Sequence, residues 1–256
     1  MSEKISCKNC DNSFCFIRQY CSSGWVNRID LSKVQIHHHA KDNIFREGGY
    51  VYGVYFIQRG NVKIIATGVN NREQIVRLAS DGQILGHRGN GVDKYPVSAV
   101  ALSDTVVCFI DNEMLHSAFM DNPKLTIEMM TYYSSELRKV EIRMKYLVQM
   151  TVKEKIAESF LYIQKVFGIN KINKMLNVPM SRQEIADMSG VMQVQVSREL
   201  KEFEDQNLIT RQGREIRLMD LAGLQYIVRK YNIAQYAEQD IEQDVYYPPS
   251  IGYSNR

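Results

Sequence analysis

No stretch of the 256-residue chain approaches the ~20 consecutive apolar residues that span a bilayer. The N-terminus, MSEKISCKNC, lacks the apolar core of a signal peptide. These absences lead us to expect a cytoplasmic chain with no membrane partner. Catalytic constellations are missing too: there is no Gly-rich phosphate loop, no Ser/His/Asp arrangement and no two-carboxylate site. An enzyme is not expected. Strong charge of either sign is absent, and a formal net charge of +3 does not by itself indicate nucleic acid. Histidines number five, three of them consecutive at His37-His38-His39. Successive strand residues point to opposite faces, so at most two of the three can share a metal, and a solvated strand edge is the simpler reading.

Only five cysteines occur, and four of them, Cys7, Cys10, Cys15 and Cys21, crowd the N-terminus. A cytoplasmic chain keeps its thiols reduced, so metal or redox chemistry is expected before disulfides. Cys7-x-x-Cys10 has the spacing that lets two thiolates reach one metal. The group suits zinc or an iron–sulfur centre. It equally suits a mobile arm of incidental thiols, with Cys108 buried and inert in the strand-like run TVVCFI.

The richest stretch is Met180 to Ile209, MSRQEIADMSGVMQVQVSRELKEFEDQNLI. It predicts two short helices joined at Ser189-Gly190. Ser181 and Glu184 form a capping box, flanked by Met180 and Ile185 as a hydrophobic staple. Such a pair with a Gly-containing turn is the helix-turn-helix pattern, whose second helix enters the DNA major groove. Thr210 to Leu218 follows as a basic hairpin turning at Gln212-Gly213, with Arg211, Arg214 and Arg217 placed for phosphates. That order of elements reads as a winged helix.

Upstream, residues 34 to 110 carry short β-branched runs separated by turn signals about 10 residues apart, which predicts a β-sandwich or barrel. Asn112 to Met120 reads as a short helix ended by Asp121-Asn122-Pro123. A long helix follows, with Ile127, Met130, Tyr133, Leu137, Val140, Met144, Leu147 and Thr151 at alternating steps of three and four. This heptad seam suits a homodimer whose two readers span half-sites ~34 Å apart on a palindromic site. Helix is expected to continue through 151 to 178. The organisation is thus an α+β chain: a cysteine-containing arm over 1–24, a β-barrel sensor domain over 25–122, a dimerisation helix over 123–150, a winged helix-turn-helix over 151–231, and an acidic tail over 232–256 with little structure of its own.

These parts, in this order, resemble the Crp/Fnr family, named for the cyclic-AMP receptor protein and the fumarate–nitrate reduction regulator. The resemblance covers about residues 25 to 230 and rests on Ser181-Arg-Gln-Glu-Ile-Ala-Asp, Gly190 and Val196-Ser197-Arg198 in the reader, and on Tyr55-Phe-Ile-Gln-Arg-Gly60-Asn-Val-Lys-Ile in the barrel. It implies a cyclic-nucleotide-binding-like barrel (a double-stranded β-helix), a long dimer helix and a dimeric regulator of transcription that contacts RNA polymerase. The candidate DNA contacts it marks, together with the basic hairpin, are Ser181, Arg182, Gln183, Gln193, Val194, Gln195, Ser197, Arg198, Lys201, Arg211 and Arg214.

The departures from the family pattern are informative. Cyclic-nucleotide binders use Gly-Glu on the ribose and Arg-Ser/Thr-Ala on the phosphate. Here the places read Gly86-His87-Arg88 and Val97-Ser98-Ala99. Without the arginine the phosphate loses a charge-assisted bidentate contact, so cyclic AMP is not expected as ligand in the usual mode. His87 and Arg88 suit another anion or a plain surface. The oxygen-sensing branch holds a [4Fe–4S] cluster with three N-terminal cysteines and one in the barrel. The resemblance assigns Cys7, Cys10, Cys108 and either Cys15 or Cys21 to that role, with Cys15 one residue earlier than the usual third ligand. For haem no clear axial ligand is present. In the reader, Met192, Val194 and Gln195 replace the Ser/Thr cap and the Glu-Thr pair of many relatives. Val194 suits a thymine methyl, Gln193 or Gln195 an adenine, and Arg198 a guanine or a phosphate. A half-site unlike TTGAT or TGTGA is expected. The alternative is a metal- or redox-binding protein that has lost specific DNA reading.

Overall fold

The computed structural model describes residues 4–87, 91 and 93–231. Arg88 and the acidic tail lie outside the described residues. The chain opens with two helices, α1 (Phe16–Tyr20) and α2 (Ser23–Ser32). Eight strands then form two four-stranded antiparallel sheets. One sheet has the order β1 (Val34–His38), β8 (Thr105–Asp111), β3 (Gly53–Arg59), β6 (Ile84–Leu85). The other has the order β2 (Asn43–Phe45), β7 (Ser98–Ala101), β4 (Val62–Thr67), β5 (Glu73–Ala79). The sheets close over an apolar interior of Ile57, Val62, Ile64, Leu85, Ala99 and Val107. The short runs are apolar on both faces, because Ile65, Ile75 and Leu78 on the outer face of one sheet and Phe56, Ile84 and Ile110 on that of the other pack against helices. The turn from β3 to β4 needs Gly60: its φ is +130°, and a Cβ there would meet Thr105 Oγ1 at 2.3 Å. His37 and His38 lie on β1, an edge strand, and His39 follows it.

After the barrel come α3 (Asn112–Asp121), capped by Asp111 accepting from the Met114 N–H, and α4 (Pro123–Gln149), with proline in its first turn where no N–H is needed. The break at Met150-Thr151 is enforced by a new capping box: Thr151 and Glu154 start α5 (Val152–Phe167). Gly168, at φ +74°, ends α5. Helix does not continue to 178, contrary to expectation. Instead Leu176 N–H donates to Ile216 O and Leu218 N–H to Lys174 O, so residues 174–176 add a third strand-like edge to the wing. The reader comprises α6 (Arg182–Ser189) and α7 (Gln193–Asp205), followed by β9 (Ile209–Gln212), β10 (Glu215–Leu218) and α8 (Leu221–Val228). Among the described residues no helix is long and apolar enough to cross a membrane.

The barrel and the reader share one apolar core. Ile65, Ile75 and Leu78 of β4 and β5 pack in the same buried cluster as Phe160, Ile185, Met188 and Phe203. A second cluster joins Phe16, Ile17 and Ile29 of the N-terminal helices to Phe56 and Ile110 of the barrel and to Leu125 and Met129 of α4.

Candidate nucleic-acid interface and cysteine pocket

The reader is built as its local sequence dictates. Glu184 N–H donates to Ser181 Oγ at 3.1 Å, and Ser181 N–H donates back to Glu184 Oε2 at 2.9 Å. Met180 and Ile185 are both buried beneath that cap. Gly190 closes α6 in the left-handed region, φ 65° and ψ 36°, where a side chain would be strained. Met192 precedes α7 without a side-chain cap, and Gln195 Oε1 instead accepts the Met192 N–H at 2.9 Å. Val196, Leu200 and Phe203 are buried, which leaves the opposite face of α7 outward. Gln193, Val194, Arg198 and Lys201 lie on that exposed face, as do Arg182 and Gln183 at the start of α6. Val194 is 70% exposed.

Six of the sequence-assigned contacts already bond within the chain, Ser181 through the cap just described. Gln195 spends its carbonyl on the helix cap, so only its amide nitrogen faces outward chemistry. Ser197 Oγ donates to Gln193 O at 3.1 Å. Arg211 is a fork on Glu204, with Nε to Oε1 at 2.9 Å, and its side chain is only 17% exposed. It braces β9 against α7 rather than standing free for phosphate. Arg214 reaches Glu184 Oε2 at 2.9 Å yet remains half exposed. Gln183 bonds Asp187 across one turn. These partners are set by tertiary proximity or by a helix turn, which residue type alone does not reveal.

The face of α6 turned from solvent docks on the barrel. Lys63 of β4 pairs with Glu184 Oε1 at 3.0 Å, with both side chains nearly buried. Arg143 of α4 donates to Met188 O at 2.9 Å, and Tyr162 accepts the Leu78 N–H at 3.1 Å. Glu184 thus serves the cap, the wing and the barrel at once. Burial would raise its carboxyl, but the Ser181 N–H and the Lys63 ammonium outweigh burial and hold it below the ordinary carboxylate value.

Inside the barrel, Phe45 stacks on Tyr95 at 4.2 Å and on Tyr55 at 5.6 Å. The cavity beside them measures about 10 Å³, the scale of a single water. His87 lines it, buried against Tyr132 and Tyr133 of α4, and is not a surface residue. Arg77 also lines it, but its guanidinium is turned to α4: Nε meets Glu136 at 2.8 Å and an NH group meets Tyr132 at 2.8 Å. Burial would lower the Arg77 pKa, but Tyr132 and Glu136 outweigh it and hold the group charged.

Cys7, Cys10, Cys15 and Cys108 line a second pocket, of about 30 Å³, with Ile17, Ile29 and Phe56 among its apolar walls. Cys21 does not line it; its electrostatic partner is Cys15. Among the described residues no group of three or more His, Cys, Asp or Glu side chains is placed to hold a metal ion. All five cysteines are free thiols. Burial pushes up the thiols of Cys7 and Cys15, and those of Cys21 and Cys108 to about 11. Lys33 enters this pocket as a buried cation. Its Nζ lies 3.1 Å from Cys7 Sγ, 3.0 Å from Asp30 Oδ1 and 3.0 Å from Ile5 O. The sequence shows Asp30 three residues before Lys33, but not that Ile5 and Cys7 of the arm, 28 and 26 positions away, complete its shell.

On α4 an outward apolar stripe runs through Ile127, Met130, Leu137, Val140, Met144 and Val148, all exposed. Tyr133 and Leu147, expected on the seam, turn inward. Tyr133 donates to His87 O at 2.7 Å, and Leu147 lies against Gly190. Thr151 leaves the seam to cap α5. A heptad pattern gives the stripe but not which flank the protomer's own barrel covers.

Residues 35–122 match the family model of the cyclic nucleotide-binding domain, and residues 154–227 that of the Crp-like helix-turn-helix domain. The chain is 29% identical over 184 residues to the transcriptional activator protein FnrA of Stutzerimonas stutzeri, covering 72% of this chain and 75% of that protein. To the fumarate and nitrate reduction regulatory protein of Vibrio cholerae it is 26% identical over 234 residues, 86% and 91% of the two chains. Among solved structures, FixK2 from Bradyrhizobium japonicum shares the fold with a TM-score of 0.68 at 23% identity, over 76% of this chain and 96% of that one. FnrA is named a transcriptional activator and the Vibrio cholerae protein a regulatory protein; neither name is that of an enzyme. With both domains matched in order and the reader's face exposed, the chain belongs to the Crp/Fnr family of DNA-binding transcription regulators.

Proposed function

We propose that the protein works as a homodimer that reads a palindromic DNA site with α7 and responds to oxidants through an iron–sulfur cluster held by Cys7, Cys10, Cys15 and Cys108. The single observation that carries the proposal is that these four thiols, three from the arm and one from β8, line one apolar-walled pocket while Cys21 stays outside it. A donor set of four thiols, beside the apolar Ile17, Ile29 and Phe56 and the cation of Lys33, fits such a group. When bound, the cluster supplies oxidant-sensitive ligation. The chain's own residues do the rest. Arg18 holds the Cys10 carbonyl, and Ile17, Ile29 and Phe56 keep water away. Phe16 packs on Tyr132 at 6.1 Å, so displacement of α1 bears directly on α4, whose outer face is the apolar stripe. That stripe is the surface on which a second copy would pair.

Gln193, Val194 and Arg198 are the base-reading residues in this proposal, with Arg182, Lys201 and Arg214 on phosphates. The half-site differs from TTGAT and TGTGA because the acidic acceptor for cytosine is absent from α7. Contact with RNA polymerase follows the family. Cyclic AMP in the usual mode is not a ligand, since aromatic rings fill the barrel. Anaerobic purification should yield iron, sulfide and visible absorption that air destroys. Protein with neither iron nor absorption would refute the cluster. Selection from random duplexes should return a new half-site; affinity that falls with salt but is equal for all sequences would favour a metal-binding protein without specific reading.

A further inference from the structure

The cysteine pocket contains a charge that its sulfur chemistry does not require. Lys33 ends α2 and is 5% exposed. A buried ammonium is costly unless each N–H finds a partner. Here the three N–H groups meet three acceptors: Asp30 Oδ1, Ile5 O and Cys7 Sγ. Asp30 Oδ1 also accepts the Cys7 N–H at 2.8 Å, so one carboxylate and one ammonium grip both the backbone and the sulfur of Cys7. Asp30 does not line the pocket, whereas Lys33 does. The ammonium is therefore the nearer member of the ion pair, and its charge also reaches Cys108 across the pocket. Arg18, the other cation of the lining, is exposed and donates to the carbonyls of Cys10 and Asn12.

We propose that Lys33 is the organising cation of the cysteine pocket: it docks Cys7 onto α2, and it supplies a buried positive charge and an N–H···S bond to the cluster. The second half rests on the cluster reading given above. Cluster potentials are set by net charge, hydrogen bonds to sulfur and solvent exposure. A nearby ammonium favours the reduced, more negative state. Asp30 offsets that charge from behind and orients it.

The test uses the full chain with Lys33→Gln, Lys33→Met and Asp30→Asn, each first checked for wild-type secondary structure. In metal-free protein, amide hydrogen exchange followed by mass spectrometry should quicken at least tenfold at Cys7, whose N–H is held by Asp30, in Lys33→Met, while Cys21 stays unchanged. In cluster-loaded protein, redox titration should show the midpoint of Lys33→Gln and Lys33→Met more negative by at least a tenfold change in the equilibrium, 59 mV for one electron. Asp30→Asn should move it the opposite way, a reversal that mere loosening of the arm does not produce. Unchanged Cys7 protection, or midpoints equal to wild type, would overturn the proposal. If the wild type itself takes up no iron, the cluster reading fails, and the hydrogen-exchange arm alone decides the role of Lys33.

Discussion

Replacing Glu184 with alanine tests the junction on which barrel, cap and wing converge. Three contacts are lost together. The Ser181 N–H loses its carboxylate acceptor, a hydrogen bond that contributes about 1 kcal/mol. The pair with Lys63 is nearly buried, and stripping one partner from a fully buried pair costs about 3–5 kcal/mol because the other charge is left alone. The slight exposure of both side chains places this pair near the low end of that range. Arg214 is 53% exposed, and such a contact contributes about 0–1 kcal/mol. The expected destabilisation is about 3–4 kcal/mol, since the losses overlap on one carboxylate. Glu184→Gln, which still accepts the Ser181 N–H, should lose about 1 kcal/mol less. Urea unfolding by circular dichroism measures the loss. A double-mutant cycle with Lys63→Met should return a coupling of about 1–3 kcal/mol. Because the folded carboxyl lies below its ordinary value, its contribution is present above the unfolded pKa of about 4.3 and is lost as pH falls through the folded value. The alanine variant should lack that acid-dependent component. A loss under about 1 kcal/mol, the ordinary size for a point substitution, would refute this account of the junction.

Arg198→Ala should weaken binding to the selected site by about 1–3 kcal/mol and relax the preference at one base position; a uniform loss across sequences would reassign Arg198 to phosphate. Lys201→Ala should lower the salt slope of DNA binding by about 1, whereas Arg211→Met should cost stability and leave that slope unchanged, because Arg211 is already paired with Glu204. Leu137→Glu with Met144→Glu places charges on the apolar stripe and should give monomers by sedimentation. A dimer that survives both would place the interface elsewhere.

Much of the reader was legible because its bonds are local. Ser181 and Glu184 are three residues apart, and Gly190 ends a helix whose last turn demands a left-handed residue. Strands β4, β5, β7 and β8 follow from β-branched runs between turns. Residues 168–178 were misread as helix because their strand partners, Ile216 and Leu218, come 40 residues later or more. The sequence predicts no helix at Phe16–Tyr20, because five residues carry no helical period and the anchors of α1, Leu125 and Met129, lie about a hundred positions away. Gln195 and Arg211 looked free because residue type shows a donor or acceptor without showing what it already bonds.

By itself the sequence determined the succession of barrel, long helix and reader, the capped first helix of the reader, the left-handed turn at Gly190 and the apolar period of α4. These rest on hydrogen bonds and periodicities within a few residues, which local sequence encodes. Tertiary structure alone decided which thiols share a pocket, which flank of α4 stays exposed, and that Lys63 reaches Glu184 across 121 positions of chain. Such contacts depend on how the two sheets close and on how α6 docks against them. Only the packed core brings their partners within bonding distance.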